Sequence, residues 1–283
     1  TFRLDRGRNS AGSSLNETLE FIQNADNLTV TNPSSPKTSS VLKAILADKV
    51  IALTHFGRSG TGLLHSLIDG HPEVSTLPSI YLSEYFDHST WEKITAGGWH
   101  EMADRFMAIY DVLFDATSTA PAEPKSKQLI YNIGHKEGMA NVGENRNEVL
   151  RVDKKLFRAE LNRLMDFYNE VDAFVFFKLA HAAFNKAIND LRPKSLIFYH
   201  IHNPDTYAQL NFVRLAPAAN WVMMVRDPIQ SCESWIRKVF KENDYPNIAN
   251  KISGMLFEID NLIYHKQSSI GVCLMFAGYF YPD

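Results

Sequence analysis

Residues 49–72 contain an apolar run, a glycine-rich turn and a second apolar run, in that order. The first run, Val50 to Leu53, is rich in aliphatic residues that favour a buried strand. Apolar residues then return at the spacing of one helix face: Leu63, Leu64, Leu67 and Ile68. The stretch therefore predicts a strand, a tight loop and a helix, around which the rest of the chain must be arranged.

The loop itself reads Gly-Arg-Ser-Gly-Thr-Gly over residues 57–62. Its glycines permit positive φ angles and close approach of the backbone, and the N–H groups at a helix start favour negative charge. Arg58 adds a positive charge, while Ser59 and Thr61 add hydroxyl donors. Together these features predict a binding site for an oxyanion.

Two common glycine loops do not match this pattern. A Walker loop requires a lysine before its Ser or Thr, and no lysine lies between Gly57 and Gly70. A dinucleotide-binding loop requires a third glycine, but Gly62 is followed by two leucines and a histidine. Neither class of nucleotide-binding protein is therefore favoured.

The loop resembles the 5′-phosphosulfate loop of the sulfotransferase family, in which a basic residue is followed by Ser-Gly-Thr between a strand and a helix. That family uses 3′-phosphoadenosine 5′-phosphosulfate (PAPS) as its donor. The resemblance implies a P-loop-like sulfotransferase architecture. It also implies that six consecutive residues bind the donor: Gly57, Arg58, Ser59, Gly60, Thr61 and Gly62.

A second motif follows the apolar run at 220–225, where Arg226 precedes Asp227 and Pro228. Ser234 stands eight positions after Arg226. The family holds the 3′-phosphate of its donor with an arginine and a serine at this spacing, so the resemblance implies that role for Arg226 and Ser234. An arginine fork donates paired N–H groups to a phosphate. The structural alternative is a local salt link with a helix-starting proline.

The composition excludes some broad classes of ligand. The chain has 283 residues, 45% of them hydrophobic, which suffices for one large α/β domain. The net charge of −3 and a pI near 6.4 give no general attraction to nucleic acid or to an acidic membrane. The two cysteines form no disulfide framework, and no apolar run reaches the roughly 20 residues of a membrane span. These features favour a cytoplasmic protein.

Two regions are expected along the chain. Residues 1–46 form an N-terminal preface of linkers and short helices, the helices falling at 14–23 and 40–46. Residues 47–283 form the sulfotransferase-like α/β domain. Within it, the polar, glycine- and proline-bearing residues 115–150 predict a flap over the acceptor site, with an ordinary surface excursion as the alternative.

Strands and helices alternate through the α/β domain. In chain order, the expected elements after the loop are an extended segment at 78–87 and helices at 91–114 and 154–168. Strands are then expected at 173–178, 195–204, 220–225 and from 269, with helices through 182–188, 231–237 and 248–265. This alternation predicts a mostly parallel central sheet flanked by helices, whose ligands bind beyond the carboxyl ends of the strands. Gly57, His202 and Arg226 all fall at such ends.

The strand expected at 195–204 carries His200 and His202 near its end. A histidine at this place is the catalytic base in cytosolic sulfotransferases, so the resemblance implies that role for His202. The alternatives are structural hydrogen bonds or a metal site shared by the two histidines, although no third ligand lies at short spacing. Some branches of the family use a glutamate instead. This chain lacks one at the equivalent positions, and Glu84 is the nearest carboxylate, with a surface or lid role as the alternative.

The resulting hypothesis is in-line transfer of a sulfuryl group from PAPS to a hydroxyl or amine of a small or carrier-bound acceptor. Its catalytic candidates are His202, Arg58 and Glu84. Two other functions stay open: a nucleotide-dependent phosphotransferase, which the missing Walker lysine disfavours, and a non-catalytic sulfotransferase-like binding module. The module gains support at the C-terminus, where the chain departs from the family. The apolar tail there, 273–283, suits an edge strand or a homodimer surface.

Overall fold

The computed structural model describes residues 29–33, 46–55, 59–77, 82, 85–118, 143–201, 206–238, 244–250, 252–253, 256 and 271–276. The two short helices expected within residues 1–46 fall almost entirely outside these ranges, and so do residues 119–142 of the expected flap. Within the described part, no helix is both long enough and apolar enough to cross a bilayer.

The described part contains seven β-strands: β1 (Val30–Thr31), β2 (Lys49–His55), β3 (Val74–Thr76), β4 (Glu170–Val171), β5 (Leu196–His200), β6 (Asn220–Arg226) and β7 (Gly271–Phe276). Five of them form one parallel sheet in the order β3-β5-β2-β6-β7. β1 and β4 form a separate antiparallel ribbon. The expected α/β architecture with a parallel central sheet is therefore confirmed, and the strand of the glycine-rich unit lies at its centre.

Helices connect these strands: α1 (Thr61–Ile68), α2 (His88–Thr95), α3 (Met102–Ile109), α4 (Lys154–Met165), α5 (Ala173–Ala187), α6 (Thr206–Leu215) and α7 (Pro228–Lys238). Residues 245–250 are also helical, and 3₁₀ turns lie at Trp99–Glu101 and Asp111–Leu113. The expected strand-loop-helix units after residues 49 and 220 are both confirmed. Because α1 follows β2 and α7 follows β6, both helices start at the carboxyl edge of the sheet.

The order of the strands creates a crevice at that edge, between β2 and β6. The chain leaves β2 towards β3 on one side, returns to β5, and then crosses β2 to reach β6 and β7. β2 and β6 are neighbours, with Leu53 opposite Val222 and His55 opposite Met224, yet their connections lead in opposite directions. Open parallel sheets bind ligands outside the strand ends at such a point.

The two faces of the sheet are covered differently. On one face, which we call the α1 face, the buried Leu53, Phe198 and Met224 pack with Leu64 and Ile68 of α1. On the opposite face the strands pack against a large aromatic core, to which α2 to α6 all contribute. Since side chains alternate between the two faces of a strand, residues two positions from these along a strand also lie on the α1 face.

Residues 173–178 begin helix α5, so the strand expected there is a wrong prediction. The Asp172 carboxylate accepts a hydrogen bond of 2.7 Å from the Val175 N–H and caps the helix. The run is almost continuously apolar because the core encloses α5, burying Phe176 and Phe177 among others. A fully enclosed helix loses the periodicity that marks a surface helix, so a short apolar run fits a buried strand equally well.

The extended segment expected at 78–87 is also wrong in its described part. The third strand of the sheet comes earlier, at Val74–Thr76. The Tyr85 N–H then donates to the Leu82 carbonyl at 3.0 Å, which closes a turn, and Asp87 caps α2. Side chains from other elements hold this turn, and such contacts are not visible in the local sequence.

The helix expected over 91–114 is divided in the structure. α2 ends at Thr95, a 3₁₀ turn follows, and α3 begins at Met102. Between the two helices Gly98 has a φ of 73°, in the left-handed region that favours glycine. The apolar spacing therefore predicted helix correctly before and after Gly98. It did not reveal the break, because the spacing of apolar residues continues across it.

Candidate anion-binding site

The loop after β2 turns into α1 at Gly60. Gly60 has a φ of 91° and occupies the N-cap position of the helix. Its carbonyl accepts hydrogen bonds from the N–H groups of Leu63 at 3.0 Å and Leu64 at 3.2 Å. The amides of Thr61 and Gly62 come before these and have no carbonyl partner within the helix. They are the donors that a negative group at this helix start would meet.

α1 begins without a carboxylate, unlike four other described helices. Its N-cap makes no side-chain hydrogen bond, and its first turn has no acidic residue. Aspartate side chains accept hydrogen bonds from first-turn amides in α2, α4, α5 and α7: Asp87, Asp153, Asp172 and Asp227. At α1, by contrast, no capping carboxylate offsets the positive end of the helix dipole.

The hydroxyl of Ser59, just before Gly60, gives a second and independent sign of an anion site. Ser59 is 4% exposed, and its Oγ has no hydrogen-bond partner among the described residues. Leaving a buried hydroxyl without a partner costs about 1–3 kcal/mol. An anion bound at the helix start would accept the Ser59 hydrogen and offset that cost.

The end of β6 lies beside this loop. A Cβ atom built on Gly60 would lie 3.9 Å from Cε of Met224, so the loop and the strand are neighbours. Arg226 is two positions after Met224 and lies, by alternation, on the same α1 face. Its Nε donates to Oε1 of Gln230 at 3.3 Å. A guanidinium and an uncapped helix start therefore occupy the ends of neighbouring strands.

α7 begins at Pro228, two positions after Arg226, and carries Ser234. Arg226 and Ser234 are both partly buried. The Asp227 carboxylate accepts a hydrogen bond of 2.9 Å from the Gln230 N–H, so the first turn of α7 is already capped. Any anion received on this side must therefore rely on side chains such as Arg226 and Ser234. Ser231, on the same helix, is fully buried, and its Oγ has no partner in the described part of the chain.

Two histidines, one on α1 and one at the end of β5, lie close together on the α1 face. His200 ends β5 and is 2% exposed, and its ring centroid lies 6.1 Å from that of His65 on α1. The His65 ring also lies 5.9 Å from that of Phe198. Burial lowers the pKa of His65 from its ordinary value, while the charge of Asp69 one turn along opposes that shift. His65 is not among the predicted site residues, although its position four residues after Thr61 places both on one helix face.

The described structure contains part of the predicted site. It places four of the predicted donor-binding residues at the start of α1 and two at the end of β6 and on α7: Ser59, Gly60, Thr61, Gly62, Arg226 and Ser234. Four other predicted residues lie outside the described residues: Gly57, Arg58, Glu84 and His202. The described portion therefore covers much of the expected donor site but neither candidate base.

The chain on both sides of position 84 is held by buried hydrogen bonds. The Tyr199 hydroxyl donates to the Leu82 carbonyl at 2.7 Å, and the Tyr85 hydroxyl donates to the Ala173 carbonyl at 2.9 Å. Asn211 Nδ2 donates at 2.8 Å to the carbonyl of Phe86, the residue after Tyr85. These contacts fix Leu82, Tyr85 and Phe86 against β5, α5 and α6.

Comparison with known proteins assigns no family to this chain. A scan against protein-family models found no match, and a search of curated proteins found none. Within the described ranges, no group of three or more His, Cys, Asp or Glu side chains could hold a metal ion. The chemistry of the site therefore rests on its geometry, which is suited to binding an oxyanion between β2 and β6.

Proposed function

We propose that this chain is a sulfotransferase that transfers a sulfuryl group from PAPS to a hydroxyl or amine of a small or carrier-bound acceptor. The observation that carries the proposal is the neighbouring position of two features. One is the uncapped start of α1 with its buried Ser59 hydroxyl, and the other is Arg226 at the end of the adjacent strand. A nucleotide that carries anionic groups at two places suits such a pair of sites.

The distance between the two features supports a single ligand. β2 and β6 pair directly, so their backbones lie about 5 Å apart. The two anionic groups of PAPS, a 5′-phosphosulfate and a 3′-phosphate, are carried on one ribose ring. The central position of β2, with the loop at its carboxyl end, also supports a P-loop-like sulfotransferase architecture.

In the proposed reaction, the acceptor oxygen attacks the sulfur of PAPS in line with the 5′-phosphate. A new oxygen–sulfur bond forms while the bond from sulfur to the bridging oxygen breaks, and adenosine 3′,5′-bisphosphate (PAP) leaves with the electron pair. The acceptor proton passes to a general base. His202 is the first candidate for that base, and Glu84 is the second.

The remaining residues bind and stabilise charge in this scheme. Arg58 and the loop from Gly57 to Gly62 stabilise the 5′-phosphate and the transferring group, and Arg226 with Ser234 holds the 3′-phosphate. Rate acceleration then comes mainly from positioning and electrostatics. The two cysteines of the sequence make no disulfide framework, which favours a reducing compartment such as the cytoplasm as the place of this reaction.

Two other functions make different predictions about binding. A nucleotide-dependent phosphotransferase would prefer ATP with magnesium over PAP. A non-catalytic binding module would bind PAP weakly or fail to turn over PAPS. The open start of α1 is compatible with a phosphate as well as a sulfate, so binding selectivity has to separate these cases.

Calorimetric titration of PAP, with ATP and magnesium in a parallel titration, tests the proposal. We expect PAP to bind the wild-type chain in the micromolar range and to bind Arg226→Ala at least about tenfold more weakly, because charged hydrogen bonds are lost. The matched control is Arg237→Ala, which removes an exposed arginine from α7, the helix that follows β6. Tighter binding of ATP with magnesium would favour the phosphotransferase.

Turnover separates the enzyme from the binding module. Wild-type chain incubated with PAPS and a phenol should release PAP, and Arg58→Ala should release it more slowly because charge on the leaving group loses its partner. Full activity in Arg58→Ala would contradict the proposed mechanism. PAP binding without any turnover across a panel of alcohols, phenols and amines would favour the module.

A further inference from the structure

His65 and His200 form a close pair of rings between α1 and the end of β5. Their centroids lie 6.1 Å apart, with the rings inclined by 38°. His65 belongs to the helix that starts at the loop, and His200 ends the strand next to β2. A pair of imidazoles this close does not readily hold two protons, because like charges repel in a buried place.

Helix geometry predicts that the His65 side chain leans towards the start of its helix. Side chains on a helix lean towards its N-terminus, and His65 follows Thr61 by four positions, so its ring covers the turn that carries Thr61. Thr61 is itself buried. The axial rise from Thr61 to His65 is about 6 Å, so a charge on the His65 ring would act on an anion at the helix start over a short distance.

Titratable and charged groups lie on the elements around the pair. Asp69 lies one turn further along α1, Arg226 lies on the α1 face at the end of β6, and β2 ends at His55, whose side chain is outside the described residues. Burial disfavours a proton on His65, and the negative charge of Asp69 opposes that effect. An anion bound at the start of α1 would favour a proton on His65, because it adds a negative charge near the ring.

We propose that the His65–His200 pair takes up a proton when an oxyanion binds at the start of α1. This inference rests on the proposed function, because it uses the same anion site, and it adds a charge-balancing role for a residue outside the expected donor motif. The proton comes from solvent and bonds to an imidazole nitrogen of the pair. No other bond forms or breaks.

This coupling makes the affinity for a dianion depend on pH. In the free protein, burial lowers the pKa of His65, and a bound anion raises it. Between those two pKa values, binding takes up a proton, and affinity rises as the pH falls, by up to about tenfold per pH unit for one linked proton. In the proposed reaction the proton would stay beside the leaving 5′-phosphate until PAP dissociates.

The test is calorimetric titration of PAP and of inorganic sulfate into the full chain between about pH 5 and 8, where imidazoles titrate. Each titration is made in two buffers of different ionisation enthalpy, so the difference in heat gives the number of protons taken up. Sulfate keeps both charges over this range, so uptake with sulfate belongs to the protein. We expect uptake approaching one proton in wild type, and its loss in His65→Asn. Uptake in the control His100→Asn, at an exposed histidine of the first 3₁₀ turn, should equal that of wild type.

Each outcome bears on the inference. Equal uptake in wild type and His65→Asn, or PAP binding by wild type without uptake, overturns it and leaves the proposed donor intact. Sulfate binding with His65-dependent uptake, but no PAP binding, overturns the proposed donor and supports the pair. If the folded wild-type chain binds neither PAP nor sulfate, both the proposed donor and the proposed proton uptake are overturned. That outcome is read from wild type alone.

Discussion

Ser75 on β3 and His181 on α5 share a hydrogen bond of 2.9 Å in the core, where each residue is 1% exposed. Asn185, one turn after His181, donates from Nδ2 to the same Ser75 oxygen at 2.9 Å. The Nε2 atom of His181 has no hydrogen-bond partner among the described residues. The network ties an edge strand to a core helix and accommodates a neutral imidazole.

We predict that this histidine makes the fold sensitive to acid. Burial lowers the pKa of His181 from 6.5 to about 3 in the folded protein. A folded-state pKa below the unfolded one means that the contribution to stability is complete above about pH 6.5 and is lost as the pH falls towards about 3. The loss is about 1.4 kcal/mol per pH unit, so urea unfolding at about pH 5 should show about 2 kcal/mol less stability than at pH 7 from this residue.

His181→Gln is the control for that measurement because its side chain does not titrate. Its free energy of unfolding is expected to be lower than that of wild type at neutral pH, since the core is disturbed. It should, however, change by about 2 kcal/mol less between the two pH values. Identical pH dependence in both proteins would contradict a neutral His181 in the fold.

The two glycines at the start of α1 should differ in their tolerance of a side chain. Gly60→Ala is expected to destabilise the protein by about 1–2 kcal/mol, because alanine disfavours a φ of 91°. Gly62 has open space around its Cβ position and lies inside the helix, so Gly62→Ala should leave stability unchanged or slightly higher. Thermal unfolding of both variants checks this contrast. Equal effects would argue against a left-handed Gly60.

We predict that Lys194, whose side chain is buried, holds together the chain just before β3 and the chain just before β5. The side chain of Lys194 is 6% exposed, and its Nζ donates to Asp190 at 2.8 Å and to the carbonyls of His71 and Pro72 at 3.2 and 3.0 Å. Lys194→Met removes all three hydrogen bonds and is expected to cost about 1–3 kcal/mol in urea unfolding.

The control is Arg192→Ala, because Arg192 pairs with the same carboxylate but is exposed. Solvent screens that pair, so a much smaller change in the unfolding midpoint is expected. Hydrogen bonds from Arg192 also contribute most to holding the pKa of Asp190 well below its usual range. A larger effect of Arg192→Ala than of Lys194→Met would overturn the assignment of Lys194 as the main link.

Substitutions at Asp172, the N-cap of α5, test whether residues 173–178 are helical and not a strand. Asp172→Ala removes the acceptor for the Val175 N–H and should lower stability by about 1 kcal/mol. Asp172→Asn keeps an oxygen acceptor and should stay within a few tenths of a kcal/mol of wild type. Thermal denaturation of the two variants provides the measurement. If asparagine costs as much as alanine, the side chain is not acting as a helix cap.

The strand-loop-helix units that carry the proposed donor site were largely predictable, because their signals are local. A β-branched run, a glycine turn and apolar residues at helical spacing lie within about 20 residues, and each depends mainly on neighbouring positions. The donor-binding and catalytic roles both remain predictions, and His202 and Glu84 lie outside the described residues. The His65–His200 pair was not predicted, because it joins a helix to a strand that is distant in the sequence.

The sequence by itself determined the strand-loop-helix units after residues 49 and 220 and the parallel α/β class, because periodicity and turn chemistry are local properties. Only the tertiary structure decided that 173–178 is helical, since an enclosed helix and a buried strand are both apolar on every side. It also decided that Ser75 meets His181 across 106 positions and that His65 meets His200. Such contacts depend on which strands are neighbours and in what register. That order is set by packing over the whole core, which no short stretch of sequence contains.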